Sequence, residues 1–214
     1  MSDTPAVSLH DPLPEYAGWF GKIPSLGDFV RRNLPESFVE RWDEWLSEEL
    51  SEAQTALTDD WSQLWRHAPV WCFALGAGVL DARSWLGVLV PSVDRVGREF
   101  PLTIALSPRR HVAAPGAAWW AALEALGRSA VGPDGGAERL DEGLAAFVSA
   151  HSELAHDREA PASGAERTFE VPAEGTSAWW CLPAGEGHEA APLVLAGLPR
   201  GDAFLLLLQR SSSG

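Results

Sequence analysis

The most regular alternation of apolar and polar positions lies between residues 35 and 53. Apolar side chains recur there every three or four residues, as on one face of a helix, at Phe38, Val39, Trp42, Trp45, Leu46 and Leu50. Pro35 suits a first helical turn, where its missing N–H is not needed. The pattern predicts a helix over 35–53 with Trp42 and Trp45 buried. Similar spacing predicts helices at 118–129 and 138–159.

Five short segments are almost continuously apolar, which is typical of strands covered on both faces. They are residues 70–78, 85–90, 101–106, 178–183 and 203–209. A further short strand is indicated before a turn that starts at Pro24. Because helices are available for both faces of the sheet, we expect an α/β fold, a three-layer sandwich with a mixed β-sheet flanked by helices. We also expect a tail at 1–16 and one domain over 17–210.

Composition narrows the class of partner. The formal net charge is -14, and such a surface repels nucleic acid and anionic membranes. The chain has neither the features of a signal peptide nor an apolar run long enough to span a bilayer. Its two cysteines, Cys72 and Cys181, lie far apart, as suits a reducing compartment. We therefore expect a cytoplasmic protein with a protein partner, no nucleic acid and no membrane insertion.

Charge is distributed unevenly along the chain. Residues 36–60 contain nine acidic groups and one arginine, a net of -8, which is most simply a solvated helix face. Residues 19–32 and 91–110 are rich in Gly and Pro, and each segment carries a net charge of +2. A surface with both signs of charge suits the steering of a protein partner.

Recognisable catalytic and metal-binding motifs are absent from the sequence. The six histidines do not have the spacing of a metal site, and no nucleophile elbow, phosphate-binding loop or dinucleotide-binding motif occurs. Ser25 and Ser92 have no evident base nearby in the sequence, so turn-capping is their simplest role. We therefore expect no catalytic residue, no metal, no cofactor and no enzymatic activity.

Four segments resemble the TagF (ImpM) family of type VI secretion-associated proteins. They are GWFGKIPSLGDFVRRNLPESFVERWDEWL at 18–46, APVWCFAL at 68–75, PSVDRVGREFPLT at 91–103 and, more weakly, SAWWCLP with LAGLPRGDAF. The resemblance implies a cytoplasmic accessory protein that restrains type VI secretion after translation by engaging the forkhead-associated scaffold protein of that system. It also implies a three-layer α/β sandwich without an established catalytic activity.

The charged loops GKIPSLGDF and PSVDRVGR are the candidate site, and three hypotheses for them remain open. In the first, they meet at one edge of the sheet and bind a regulatory partner. The partner-binding residues would then be Lys22, Ser25, Asp28 and Arg95. The second loop would be held in shape by Ser92, Asp94 and Arg98, with Val93 and Val96 pointing inward.

In the second hypothesis the protein is an enzyme or a small-anion receptor. Lys22, Arg95 and Arg98 would converge on a phosphate or carboxylate, and Asp28 or Asp94 would act as a base. In the third, both loops fold inward and only brace the structure through an Asp94–Arg98 ion pair.

Overall fold

The computed structural model describes residues 15–108, 115–151, 171–182 and 191–209. Seven strands form its sheet, and they are β1 Tyr16–Gly21, β2 Val30–Arg32, β3 Trp71–Leu75, β4 Trp85–Val90, β5 Leu102–Ser107, β6 Thr176–Trp180 and β7 Leu193–Ala196. Their order across the sheet is β2-β1-β5-β4-β3-β6-β7. Every pairing between these strands is antiparallel. The expected mixture of parallel and antiparallel strands was therefore wrong.

Five α-helices accompany the sheet in the described residues, and they are α1 Glu36–Leu57, α2 Trp61–His67, α3 Ala117–Val131, α4 Ala137–Ala150 and α5 Asp202–Gln209. The helices predicted at 35–53 and 118–129 are confirmed. The one predicted at 138–159 is confirmed up to Ala150, and residues 152–159 lie outside the described part. None of the described helices has the length and apolar character needed to cross a membrane.

Alternate residues of the strands face two separate cores, which makes the fold a three-layer sandwich, as predicted. In β3, Trp71 and Phe73 pack with α1, α2 and α5 on one side of the sheet. Cys72 and Ala74 point to the other side, where α3 and α4 lie. Trp42 and Trp45 are 0% and 1% exposed, so the predicted burial of the tryptophan face of α1 is confirmed.

The segment 203–209 is a helix, so its prediction as a strand was wrong. A run of four leucines has no period that separates a strand from a helix. Phe204, Leu207 and Leu208 are buried, at the spacing of one helical face. Strand β7 had not been predicted, and its four residues lie at the edge of the sheet.

Contacts with the rest of the fold hold α5 at both ends. Glu49 of α1 is buried and accepts a hydrogen bond from the Gly201 N–H at 2.8 Å, just before the helix begins. The indole of Trp71 donates to the Leu207 carbonyl at 2.5 Å in the last turn. Both contacts satisfy backbone groups that a helix leaves without partners at its ends.

Candidate functional site

Two loops leave the same end of the sheet and meet there. The first loop, residues 22–29, follows β1, and the second loop, residues 91–101, connects β4 to β5. Their ends are adjacent because Leu102 at the start of β5 pairs with Gly21 on one side and with Val90 on the other. The predicted meeting of the two loops is thus a consequence of strand order.

Hydrogen bonds join the two loops directly. The Arg95 N–H donates to the Leu26 carbonyl at 2.8 Å, and an Nη of Arg98 donates to the Gly27 carbonyl at 2.9 Å. The Ser92 hydroxyl donates to the backbone carbonyl of Lys22 at 2.8 Å. The first loop has little regular structure of its own, so these contacts fix its position relative to the second.

At the centre of the junction lies the Asp94 clamp, which consists of Asp94, Lys22 and Arg98. The Asp94 side chain has no exposed surface. Its carboxylate accepts hydrogen bonds from the N–H groups of Val96 at 3.0 Å and Arg98 at 2.9 Å. It also lies 2.6 Å from Nε of Arg98 and 3.4 Å from Nζ of Lys22. Gly97 closes the turn at a φ of 85°, a conformation that favours glycine.

These contacts determine the ionisation of Asp94. Burial alone would raise the pKa of its carboxyl group. The backbone N–H and guanidinium of Arg98, the N–H of Val96 and the ammonium of Lys22 all favour the carboxylate and together hold the pKa well below its usual value. Asp94 is therefore a charged structural anchor, and its carboxylate is a weak base.

Helix α2 supports the second loop from behind. The indole of Trp65 donates a hydrogen bond to the Ser92 carbonyl at 3.0 Å, and the indole of Trp61 donates to the carboxylate of Glu99. Trp61 and Trp65 stack on each other with ring centres 5.4 Å apart. The second loop is thus held between the first loop and α2, and its outer side is displayed on a rigid support.

Ser92, Asp94 and Arg98 were predicted to hold the second loop in shape, and each makes hydrogen bonds at the junction. Ser92 and Asp94 are buried, whereas the Arg98 side chain is 63% exposed. Val96 is 71% exposed, so the prediction that it points inward was wrong. It lies at the tip of the turn, where the chain reverses and no core is available.

The residues predicted to contact a partner divide into two groups. Lys22 is directed inward with a side chain only 7% exposed, so it belongs to the clamp and not to the outer surface. Ser25, Asp28 and Arg95 are exposed. The Asp28 carboxylate accepts a hydrogen bond from the Phe29 N–H at 2.8 Å. Contact of these exposed residues with a partner stays a prediction.

Phe29 was not singled out from the sequence, although it is exposed at this site. Its side chain is 42% exposed. The ring lies edge-on to Phe100 at 4.7 Å and stacks on Phe20 at 5.9 Å, while Nζ of Lys22 lies 4.8 Å from its centre. The sequence feature that could have indicated an exposed role for Phe29 is its position in a polar, Gly-rich loop.

The charged groups at the centre of the junction are paired with one another. Lys22 and Arg98 are both engaged by Asp94, and the guanidinium groups of Arg95 and Arg98 both lie beside Gly27. Among residues 15–108, 115–151, 171–182 and 191–209, no group of His, Cys, Asp and Glu is placed to hold a metal ion. A small cavity beneath α5 has an apolar lining that includes Leu46, Trp65 and Leu207.

The site lies within a segment that matches a known family. Residues 18–147 match the TagF N-terminal domain, which is type VI secretion system-associated. This chain belongs to the TagF family. The crystal structure of PA0076 from Pseudomonas aeruginosa PAO1 has a similar fold, with a TM-score of 0.67, 30% sequence identity and coverage of 90% of this chain and 93% of that one. The comparison with curated proteins found no match. As a TagF family member, the chain is associated with type VI secretion.

Proposed function

We propose that this protein restrains type VI secretion after translation, in the cytoplasm, by binding the forkhead-associated scaffold protein of that system. The observation that carries the proposal is the rigid display of exposed polar groups on the joined loops. The Asp94 clamp and α2 hold both loops, while Ser25, Asp28 and Arg95 remain exposed. A preorganised surface binds a partner with little loss of conformational entropy.

The distribution of charge supports a protein partner. The outer face of α1 is acidic, with exposed Glu40, Glu44, Glu48 and Glu52, whereas exposed arginines predominate at the loop end of the sheet. Opposite charges on separate faces orient an approaching protein and disfavour other orientations. The net charge of -14 disfavours nucleic acid as the alternative macromolecule.

We further propose that the protein is not an enzyme. Asp94 is saturated by donors and its pKa is lowered, so it is poorly suited to take a proton from a substrate. Asp28 is exposed and has no nucleophile hydrogen-bonded to it in the described residues. We expect no turnover of phosphoester, ester or peptide substrates. An activity that is lost in Asp28→Ala, in a protein of unchanged stability, would contradict this.

The binding proposal is tested with Arg95→Ala. Arg95 is exposed, and the hydrogen bond that it makes to the first loop comes from its backbone N–H, which the substitution retains. We expect an unchanged thermal melt, weaker capture of the purified scaffold protein and increased secretion in cells. Arg200→Ala is the matched control, because Arg200 is an exposed arginine that follows β7, at the end of the sheet away from the loops.

Two results would count against the proposal. If the wild-type protein does not co-purify with the scaffold protein before or after secretion is induced, the assigned partner is wrong. If Arg95→Ala binds the scaffold as tightly as Arg200→Ala does, Arg95 lies outside the interface, and the loops revert to the purely structural hypothesis.

A further inference from the structure

The outer side of the joined loops carries exposed apolar side chains at its centre. Four large hydrophobic residues are exposed in the described part of the chain, namely Phe29, Val96, Val194 and Leu206. Two of them, Phe29 and Val96, lie on these loops, at 42% and 71% exposure. Single exposed apolar residues are ordinary on protein surfaces. Phe29 and Val96 therefore indicate a binding site only if they lie close together in suitable surroundings.

Phe29 and Val96 are linked through the Asp94 clamp. The Val96 N–H donates to Asp94 at 3.0 Å, Asp94 lies 3.4 Å from Nζ of Lys22, and that nitrogen lies 4.8 Å from the centre of the Phe29 ring. This short chain of contacts brings the Phe29 ring close to the turn that carries Val96. We call Phe29, Val96 and Arg95 the loop patch.

The patch is also rigid. Phe29 is fixed by its ring contacts with Phe20 and Phe100, and the turn that carries Val96 is fixed by two hydrogen bonds to Asp94. An immobilised aromatic ring with part of its surface exposed buries apolar area on binding at little entropic cost. Such side chains are typical of the central, energetically dominant positions of protein interfaces.

Cationic groups surround the apolar centre. Arg95 is exposed, and its guanidinium makes no hydrogen bond to any described residue. Arg98 exposes most of its side chain while it contacts Asp94 and Gly27. Arg31 is exposed on β2, beside the first loop, and Asp28 is the exposed acidic residue of that loop. The two loops carry three basic and three acidic residues, but among the exposed groups at this end of the sheet the three arginines outnumber Asp28.

We propose that the loop patch binds an acidic segment of a protein partner in which an apolar side chain lies between carboxylates. The apolar side chain packs on Phe29 and Val96, and a carboxylate pairs with Arg95. An apolar centre with a charged rim is the usual anatomy of a protein interface. The segment is recognised without phosphorylation. The guanidinium groups of Arg95 and Arg98 both lie beside Gly27, but that of Arg98 is already paired with Asp94, which leaves Arg95 to bind a single carboxylate.

This inference rests on the proposed function, since it describes the part of the scaffold protein that would contact the loops. Its first test is nevertheless independent of the scaffold. Amide resonances of the isotope-labelled protein are followed during titration with a short peptide of glutamate and leucine. The control is the same peptide with lysine in place of glutamate. We expect shifts confined to 25–31 and 94–98 with the acidic peptide and none there with the basic one.

The second test measures the Kd for the purified scaffold protein. Val96→Asp is expected to raise Kd about tenfold or more, because it puts a charge at the apolar centre and repels the partner's carboxylates. Val194→Asp is the matched control, since Val194 is a comparably exposed valine, at 60%, on β7 at the opposite edge of the sheet. Phosphatase treatment of the scaffold should leave Kd unchanged.

The outcomes separate the two proposals. An acidic peptide that shifts no loop resonances, or shifts another surface, overturns the inference whatever the scaffold does. Val96→Asp binding as tightly as Val194→Asp, or loss of binding after phosphatase treatment, also overturns it, while leaving the regulatory proposal intact. A third outcome is that the acidic peptide shifts only the loop resonances while the wild-type protein does not bind the scaffold. That result would support binding of acidic segments by the loop patch and would refute the scaffold protein as the partner.

Discussion

Replacing Trp42 by alanine tests the packing of α1 on the sheet. Trp42 is 0% exposed, and its ring lies against Phe38, Trp45, Phe73 and Trp179 with ring centres 4.7–6.2 Å apart. Its indole N–H donates to the Thr103 hydroxyl at 2.8 Å, across the interface between helix and sheet. The substitution therefore removes apolar packing and a buried hydrogen bond together.

The two contributions of Trp42 set the expected magnitude. A buried aromatic side chain removes about 150–250 Å² from water, which corresponds to about 4–6 kcal/mol at about 25 cal/mol per Å². Core Trp→Ala substitutions cost about 3–5 kcal/mol, since alanine retains part of that area. Thr103 is also fully buried, and its hydroxyl loses a partner, which adds about 1 kcal/mol. We expect the free energy of unfolding to fall by about 4–6 kcal/mol.

The measurement is urea denaturation followed by far-ultraviolet circular dichroism. Fluorescence is less suitable, because the chain contains 11 tryptophans and the substitution removes one of them. Trp42→Phe is a milder companion in case the alanine variant does not fold, with an expected loss of roughly 1–3 kcal/mol. Ser47→Ala, at an exposed position of the same helix, should change stability by less than about 0.5 kcal/mol.

If the free energy of unfolding falls by less than about 1 kcal/mol in Trp42→Ala, this reasoning is refuted, since truncation of a fully buried aromatic side chain costs more than that. A Trp42→Phe and Thr103→Val double-mutant cycle separates the hydrogen bond from the packing. We expect a coupling energy of about 0.5–1.5 kcal/mol. A coupling near zero would show that the indole and the hydroxyl do not interact.

Three further predictions concern the sheet, α5 and the clamp. Gly87→Ala would put a Cβ 2.2 Å from the Ile104 carbonyl oxygen. We therefore expect it to destabilise the protein by roughly 1–3 kcal/mol in urea melts. An unchanged urea midpoint would contradict the close approach of β4 and β5. Glu49→Ala should cost about 1–3 kcal/mol, because the Gly201 N–H at the start of α5 loses its charged acceptor. Glu48→Ala is its exposed control and should cost less than about 0.5 kcal/mol; equal effects would show that Glu49 does not hold α5. For Asp94, the folded-state pKa lies below the ordinary value of 3.8, so its stabilising contribution is present above that value and is lost as pH falls through the folded-state pKa. Acid titration of the thermal melt should therefore show a smaller loss of stability in Asp94→Asn than in the wild-type protein, and identical acid profiles would contradict the clamp.

Much of the local structure was determined by short-range patterns. The spacing of Trp42 and Trp45 predicted both a helix and its buried face, because a helix repeats every 3.6 residues whatever surrounds it. Strands β3, β4 and β5 were recognisable as apolar runs because both faces of the central sheet are covered by helices. The position of the charged loops followed from those elements, as did the prediction that the two loops meet.

Tertiary structure decided the identity of α5 and the direction of the strands. The apolar run at 203–209 is compatible with a helix or a strand, and its state depends on Glu49 and Trp71, which satisfy backbone groups at its two ends from distant parts of the chain. Strand direction depends on the route of each connection across the sheet, and local composition carries little information about that route.

The role of each loop residue was also decided by contacts that are remote in the sequence. From its own segment, Lys22 would be assigned to the surface. It is buried because it pairs with Asp94, which lies 72 positions later in the chain. Val96 looks like a core residue, and only the tight turn stabilised by Asp94 leaves it exposed. The sequence by itself determined which elements form and where charge accumulates, because both are local properties of the chain. The division of the loops into a buried clamp and an outward surface required the three-dimensional structure, because burial of a charge depends on a partner that folding brings close.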